Sequence, residues 1–405
     1  MNDYQNTTKI IVCFTASFPY GTRETYFANE LEYLANVFEK VILIPGYNPY
    51  EKTHRSLPDN VEVYNVVLKQ GWDRVFDFFI NFKIKKQHIK EFLNFKVYKD
   101  KIRFKKWVIS VISYGKGYNA FKSYNFNEKE VILYSYWTGK NYFIEKDLRK
   151  FKKVVRMHGG DFYVERNSGY LPLIKEIYNT ADLLLPISQD IYDKLLERYH
   201  VNSQKIHLSY LGVSNKAKWC TIKPDNKLYV ISCSNVYPLK RIHLIYEILT
   251  HIDENIHIEW THIGSGELLG QLKEYIDHNA KKNITVNFVG QKSQKELKEI
   301  YENKYFDFFI NTSEYEGLPV SIMEAFSFSV PAVATNVGGT SEIVNTENGL
   351  LIDKDFNVEQ VAYTIESFFL NNKLTSFRNN AYNTWKSKFN ADNNYQKLIK
   401  KIKVL

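Results

Sequence analysis

Cysteine is nearly absent from this chain. The three that occur, Cys13, Cys220 and Cys233, are widely spaced, odd in number and part of no Cys-x-x-Cys or Cys/His grouping. That excludes a disulfide framework and a thiolate zinc site, and it fits a reducing compartment. Long apolar runs are missing as well: nowhere do about eighteen apolar residues follow one another, so no membrane-spanning helix is expected. The N-terminal stretch from Met1 to Asn6 has no positive charge, and Ile10 to Phe14 is too short and too strand-like for the apolar part of a signal peptide. A cytoplasmic protein is expected. Disorder is excluded by an apolar content of 44% with 16% aromatics.

Acidic charge is also scarce where basic charge is dense. The net charge is +9 at pH 7, and much of the excess lies between Lys69 and Lys122. There Arg74, Lys83, Lys85, Lys86, Lys90, Lys96, Lys99, Lys101, Arg103, Lys105, Lys106 and Lys116 are opposed only by Asp73, Asp77, Glu91 and Asp100. Trp72, Phe76, Phe79, Phe92, Phe95, Phe104 and Trp107 are interleaved with them. Phe104, Trp107, Val108, Val111 and Ile112 keep the i, i+3, i+4, i+7, i+8 spacing of an amphipathic helix. Such a face suits an anionic membrane surface, where each cation contributes about 1 kcal/mol. A core-facing helix with a solvated basic side is the other reading, and both stay open. Nucleic acid ranks behind them, since no nucleic-acid-binding motif accompanies the charge.

At 405 residues the chain exceeds the size of most single cores, so two domains of roughly 200 residues are expected. Strand-like runs at Lys9 to Phe14, Val41 to Ile44, Val61 to Val67, Val131 to Ser135, Val154 to Met157, Leu183 to Ile187 and Ile206 to Tyr210 alternate with helical patterns. Alternation of this kind implies a parallel sheet covered on both faces, an α/β fold. The polar stretch from Ser214 to Lys227 reads as a linker. The pattern then restarts, with strands at Tyr229 to Cys233, Ile256 to Trp260 as a half-buried strand, Ile284 to Val289, Phe306 to Ile310 and Pro331 to Thr335. The expected division is 1–212, a linker 213–227, and 228–374, followed by a helical segment 375–405.

The densest motif runs from Asn311 to Val344. It holds Glu316 and Glu324, eight residues apart, and then Gly338, Gly339 and Glu342. Glu316 follows an apolar strand and so sits at the C-terminal edge of the sheet; Pro319 opens a helix, and Glu324 lies about two turns down it. Ligands of open α/β sheets collect at that edge, and a phosphorylated ligand is the natural guest.

Glu-x7-Glu followed by Gly-Gly-x-x-Glu resembles the signature of the retaining GT-B glycosyltransferases of family 4, the glycosyl transferases group 1. The resemblance implies two Rossmann-like domains facing each other across a cleft, the first on the acceptor side and the second binding a nucleotide sugar, with 375–405 crossing back to the first. It implies that Glu316 meets the donor sugar and Glu324 the ribose, with Gly317 and Leu318 in the same donor loop. Lys240 and Arg241 follow a strand and open a helix at the sheet edge, where a cation opposes the helix dipole and calls for an anion. The family's lysine at this place binds the donor diphosphate, usually with an arginine a few residues earlier. Here Ser234 and Asn235 stand there, and Arg241 is taken as the replacement.

His158 in His-Gly-Gly-Asp resembles the family's His-Gly segment, which approaches the donor sugar, with Asp161 orienting the imidazole or holding a hydroxyl. Gly21 in Pro-Tyr-Gly-Thr-Arg-Glu is expected to let backbone approach the donor, with Arg23 and Glu24 weaker candidates at the acceptor. Gly264 and Gly266 match a turn lining the nucleotide. Gly338 and Gly339 let the chain pass close to the donor. Tyr136 and Trp137 stack on acceptor sugar or are core aromatics, with equal weight. Asp353 and Asp355 form the only Asp-x-Asp, read as a solvated turn, so no metal is invoked.

The expected activity is a retaining, metal-independent hexosyl transfer from a UDP- or GDP-linked sugar to a saccharide acceptor, a lipid-linked one included, in surface polysaccharide synthesis. It would take place in the cytoplasm or at the inner face of the cell membrane, with no other cofactor and no nucleic acid. The alternatives are a non-catalytic glycosyltransferase-like subunit that positions a partner enzyme, and a sugar-nucleotide epimerase.

Overall fold

A computed structural model describes residues 9–21, 24–47, 53–64, 83–122, 124, 126–127, 130–138, 145–217, 219–371 and 374–405. The chain divides into two compact units, Met1–Tyr210 with Asn393–Leu405, and Leu211–Asp392.

The first unit is built on β1 (Ile10–Thr15), β2 (Lys40–Pro45), β3 (Val61–Val63), β4 (Val131–Ser135), β5 (Lys152–Met157) and β6 (Leu183–Pro186). All pair in parallel in the order β3-β2-β1-β4-β5-β6. Val12 sits opposite Ile42 on one side and Leu133 on the other. β1, β4 and β6 read as near-continuous apolar runs because nearly every side chain in them is buried, while the edge strand β3 is only partly buried. The helix Gln189–Glu197 starts where expected, with Ser188 Oγ accepting the Ile191 N–H at 3.3 Å. Ile206 to Tyr210, expected as a strand, is only a bridge: His207 and Ser209 donate to the carbonyls of Leu184 and Pro186, both at 2.9 Å. Of the expected strand at Val61 to Val67, 65–67 lie outside the described residues, as do Lys69, Trp72, Asp73, Arg74, Phe76, Asp77 and Phe79 of the basic region.

In the helix Lys101–Lys122 the apolar stripe faces inward. Trp107, Val111 and Ile112 are buried, and Val97, Tyr170, Phe92 and Val108 pack with Trp107 and Val111. Of the two open readings of that stripe, the core-facing one holds; only Phe104 of the five is exposed.

The second unit repeats the plan with β7 (Leu228–Cys233), β8 (Ile258–Ile263), β9 (Ile284–Phe288), β10 (Phe308–Asn311), β11 (Ala332–Thr335) and β12 (Gly349–Ile352), parallel in the order β12-β11-β10-β7-β8-β9. β8, expected half-buried from its alternation, is an inner strand between β7 and β9; Glu259 stays partly exposed between buried Ile258 and Trp260, and past the expected end Thr261 and His262 are buried too. β12 was not anticipated. The stretch read as a linker belongs to this unit: Lys223 Nζ pairs with the buried Asp307 at 3.0 Å. The helix Leu374–Thr384 is also part of it, so the C-terminal segment expected to change domain at 375 is assigned to the first unit only from Asn393. There Tyr395 packs on Tyr33, ring centroids 5.2 Å apart.

Both sheets have the strand order in which the chain winds outward in two directions from a central pair. Connections leave that pair on opposite sides, opening a crevice at the C-terminal strand ends. The central pairs are β1/β4 and β7/β10.

Candidate functional site

In the second unit the loops after β7 and β10 carry Lys240 and Glu316. Lys240 ends a short 3-10 turn, Pro238–Lys240, ahead of the helix His243–Thr250 and does not open that helix. Its Nζ donates to Glu316 Oε1 at 2.6 Å, with the two side chains 23% and 12% exposed. Asn311, the last residue of β10, donates Nδ2 to the same oxygen at 3.2 Å, and its Oδ1 accepts the Ser313 N–H at 2.9 Å. Thr312 Oγ1 donates to the carbonyls of Arg241 at 3.0 Å and Lys240 at 3.2 Å, and the Glu314 N–H donates to Leu239 O at 2.8 Å. The two loops are thus laced together at the switch point, with one cation and one carboxylate in contact.

Arg241 does something else. In a left-handed conformation at φ +46°, it donates Nε to Thr312 O at 2.8 Å and Nη2 to Lys354 O at 2.9 Å. Two arms of its fork tie loop to loop, which corrects the expectation that it points at phosphate in place of the missing arginine.

The glycines brace the same loops. A Cβ at Gly338, where φ is +54°, would lie 1.9 Å from the Glu316 carbonyl oxygen. The Gly339 N–H donates to Gly317 O at 2.8 Å, and Leu318 is buried against Gly339. At Gly264, φ +145°, a Cβ would meet Ser234 O at 1.9 Å, and at Gly266 it would meet Val236 O at 2.5 Å. The close approach that demands glycine is to the chain's own backbone.

Glu324 lies on the helix Val320–Ser327, about one turn in and not two, because Pro319 precedes the helix as its cap. Its carboxyl is buried, accepts Gln294 Nε2 at 3.0 Å, and is pushed up to about 7 by that burial. Cys233, at the end of β7, feels both Glu324 and Lys240, and burial raises its thiol above its ordinary range. Asn311, Thr312 and Gln294 were missed in the sequence. Asn-Thr-Ser directly after an apolar run was a usable signal for the first two; Gln294, thirty residues from its partner, offered none.

In the first unit His158 follows β5. Its ring lies against Trp137 at 4.5 Å and Tyr136 at 4.7 Å. Burial, and then the Arg156 charge, hold the imidazole well below the usual range, so it is neutral, and its Nε2 has no hydrogen-bond partner among the described residues. Asp161 does not orient the ring. Its Oδ1 accepts the His158 N–H at 2.7 Å and its Oδ2 the Thr138 N–H at 2.5 Å, and burial raises it to about 7. Tyr136 is a core aromatic, packed on Phe27 at 4.7 Å, while Trp137 is half-buried and donates Nε1 to Glu24 Oε1 at 2.5 Å.

Glu24 organises the loop after β1. It accepts the N–H groups of Ala16 at 2.9 Å, Ser17 at 2.7 Å and Phe18 at 2.6 Å, a use that replaces its expected acceptor role. The Gly21 carbonyl accepts Arg55 Nε at 2.7 Å. Arg23 lies outside the described residues. Among the described residues no three His, Cys, Asp or Glu side chains are grouped so as to hold a metal ion.

Two parallel six-stranded sheets of this order define the α/β, two-domain, Rossmann-like GT-B fold. The structure resembles Anabaena Alr3699/HepE in complex with UDP, with a TM-score of 0.68 and 14% identity over 98% of this chain and 100% of that one. It also resembles S. aureus TarM, solved as a G117R mutant with fondaparinux, alpha-GlcNAc-glycerol and UDP, with a TM-score of 0.66 and 13% identity over 97% of this chain and 99% of that one.

Residues 214–384 match the family model described as Glycosyl transferases group 1. Curated relatives are named glycosyltransferases. The chain is 24% identical over 208 residues to the putative colanic acid biosynthesis glycosyltransferase WcaL of Escherichia coli (strain K12), covering 49% of this chain and 50% of that one. It is 27% identical over 192 residues to the O-antigen biosynthesis glycosyltransferase WbnH of Escherichia coli, covering 47% and 51%. The chain spans about half the length of the curated relatives it matches.

Proposed function

We propose that the protein is a retaining glycosyltransferase of family 4 that moves a hexose from a UDP- or GDP-linked donor to a saccharide acceptor, lipid-linked in this proposal, in surface polysaccharide synthesis at the inner face of the cell membrane. The observation that carries this is the Lys240–Glu316 pair at the β7/β10 switch point. A diphosphate leaving group needs a cation, and a sugar gaining positive charge at its anomeric carbon needs oxygens near its hydroxyls. Lys240 offers the first and Glu316 the second, each held by the opposite loop. Names of relatives in colanic acid and O-antigen biosynthesis support the polysaccharide setting.

In the reaction the bond from the anomeric carbon to the phosphate oxygen breaks and a bond from that carbon to the acceptor oxygen forms on the same face. The acceptor's proton passes to the departing phosphate. Lys240 meets the charge left on the diphosphate, in place of a metal. Glu316 holds sugar hydroxyls, and Glu324 holds the ribose. In this proposal neutral His158, whose Nε2 has no hydrogen-bond partner among the described residues and whose ring is braced by Trp137, is the sugar-hydroxyl contact that the first unit offers. A screen of sugar nucleotides for protection against thermal unfolding, followed by product analysis, tests the proposal: one donor should protect and be consumed. No protection by any UDP- or GDP-sugar would sink it.

Arg241's engagement with Thr312 and Lys354 leaves the place of the family's arginine to Ser234 and Asn235, and this favours one second reading, a non-catalytic subunit. Calorimetry separates the two, since a subunit gives no heat with UDP or GDP while binding another protein stably.

A further inference from the structure

Thirteen large apolar side chains are exposed among the described residues, and seven of them fall between Ile84 and Phe104. Apart from Phe104, this clustering is not the stripe expected from the sequence, whose other members are buried or half-buried. It comes from the helix Lys86–Asn94, the turn Val97–Lys99 and the first turn of the helix Lys101–Lys122. Ile89 and Leu93 stand one helical turn apart, and Tyr98, Ile102 and Phe104 continue the surface; exposures run from 47% to 61%. Beneath them a chain of rings makes the patch continuous: Tyr98 to Phe92 at 5.8 Å, Phe92 to Trp107 at 5.0 Å, Trp107 to Phe104 at 6.4 Å. Trp107 Nε1 donates to His88 O at 3.0 Å, tying the two helices together.

The charge on this face has one sign. Lys86, Lys90, Lys96, Lys99, Lys101 and Lys105 are exposed, and none forms an ion pair among the described residues. Of the two acids of the segment, one is buried and the other, partly exposed, is taken up by backbone N–H groups. Glu91 is buried and accepts the Leu173 N–H at 2.9 Å and Tyr170 Oη at 3.0 Å; Asp100 accepts the N–H groups of Ile102 at 2.8 Å and Arg103 at 2.9 Å, capping the helix. Arg103 and Lys106 are also committed, to Ser168 O at 2.7 Å and Asn167 O at 2.9 Å. The exposed charges that remain between 84 and 105 are all lysine, set among the exposed apolar side chains and the neutral Gln87 and Asn94.

We infer that this face docks onto a bilayer containing anionic phospholipid, with the apolar side chains entering the headgroup region and the six lysines resting at phosphate level. Three features select lipid. Exposed isoleucine and leucine have no use against a phosphodiester polymer, which takes aromatic stacking. Protein interfaces favour arginine and deplete lysine, and here every exposed cation is lysine. Lysine lays its methylene stem along apolar surface while its ammonium stays in water, as a bilayer surface requires. The surface gives the membrane-side proposal above a physical basis but depends on none of the donor chemistry.

The test uses the full chain and flotation with phosphatidylcholine vesicles, with and without phosphatidylglycerol. Binding is expected only to the anionic vesicles and is released by high salt. At about 1 kcal/mol per cation each lysine is worth about fivefold, so Lys90→Gln, Lys99→Gln and Lys105→Gln together lower binding about a hundredfold. Leu93→Ser with Ile102→Ser weakens binding and leaves its salt dependence in place; unchanged melting temperatures show that both variants fold. Equal flotation with neutral vesicles, an unchanged triple variant, or a dimer in solution that Leu93→Ser dissociates would each overturn the assignment. So would failure to bind vesicles alongside tight binding of nucleic acid or an acidic protein. The assay needs no sugar nucleotide, so a chain inert to UDP still floats if the assignment is right.

Discussion

The contact between Lys240 and Glu316 makes an asymmetric prediction for Glu316→Gln and Lys240→Ala. In the protein by itself the ammonium already has a carboxylate 2.6 Å away, so a diphosphate must compete with Glu316 for it. The pair is partly exposed, which limits its net worth to roughly 1 kcal/mol. Glu316→Gln removes the competitor and a negative charge, and should tighten UDP or GDP binding about fivefold. Lys240→Ala removes a charged hydrogen-bond donor, worth roughly 1.5–3 kcal/mol, and should weaken the same nucleotide between about tenfold and a hundredfold. Transfer should fall in both variants by roughly a hundredfold or more, because each group acts where charge develops. Titration calorimetry with UDP and GDP, beside turnover of the donor found by screening, reads all of these. Weakening of the nucleotide by Glu316→Gln to the same degree as by Lys240→Ala would refute the competition. Unchanged turnover in both would refute the assigned roles.

Arg241→Ala should destabilise the second unit by roughly 1–3 kcal/mol through its two lost carbonyl contacts, with far less effect on nucleotide affinity than Lys240→Ala; melting curves and calorimetry read this, and the opposite pattern would restore a phosphate-binding role. Gly338→Ala places a Cβ 1.9 Å from Glu316 O in a left-handed backbone, so a loss of at least about 1–2 kcal/mol is expected together with loss of transfer, measured by denaturant unfolding and turnover. Burial raises Glu324 to about 7, so the native state holds its proton where the unfolded chain has lost it, and the cost of ionisation grows from the ordinary carboxylate range near 4.5 up to about 7. His262 and His88, lowered to about 4, act in the opposite sense, so the total pH profile mixes both signs. The difference between Glu324→Gln and the native chain isolates one group: close to zero below about pH 4.5, rising to roughly 3 kcal/mol in favour of the variant above pH 7. A difference independent of pH would show that Glu324 is not buried as a carboxylic acid.

Much of the architecture could be read from the residues. A strand buried on both faces must be a continuous apolar run, so most of the twelve strands announced themselves, and their alternation with helices left a parallel sheet as the way to connect them. β8 keeps its alternation over the expected stretch, with Glu259 partly exposed between buried Ile258 and Trp260 and held by Lys304 at 2.9 Å and Asn287 at 3.1 Å, but beyond it Thr261 and His262 are buried as well. Its inner place in the sheet decided the burial of the polar residues past Trp260. The spacing of Glu316 and Glu324, and the position of Lys240 after a strand, were legible because they depend on local geometry at a sheet edge.

Partnerships between loops were not legible. Arg241 answers to Lys354, 113 positions away, and Trp137 to Glu24, also 113 away. Arg241, Glu24 and Asp161, read as ligand contacts, hold loops of their own unit, and Tyr136, read with equal weight as ligand contact or core aromatic, is core. Local sequence determined which segments become strands and which residues arrive at the sheet edges, because backbone hydrogen bonding and burial act over a few neighbours. Only the tertiary structure decided which of those residues remain available for chemistry, because the donors and acceptors that claim the others come from strands brought side by side by folding.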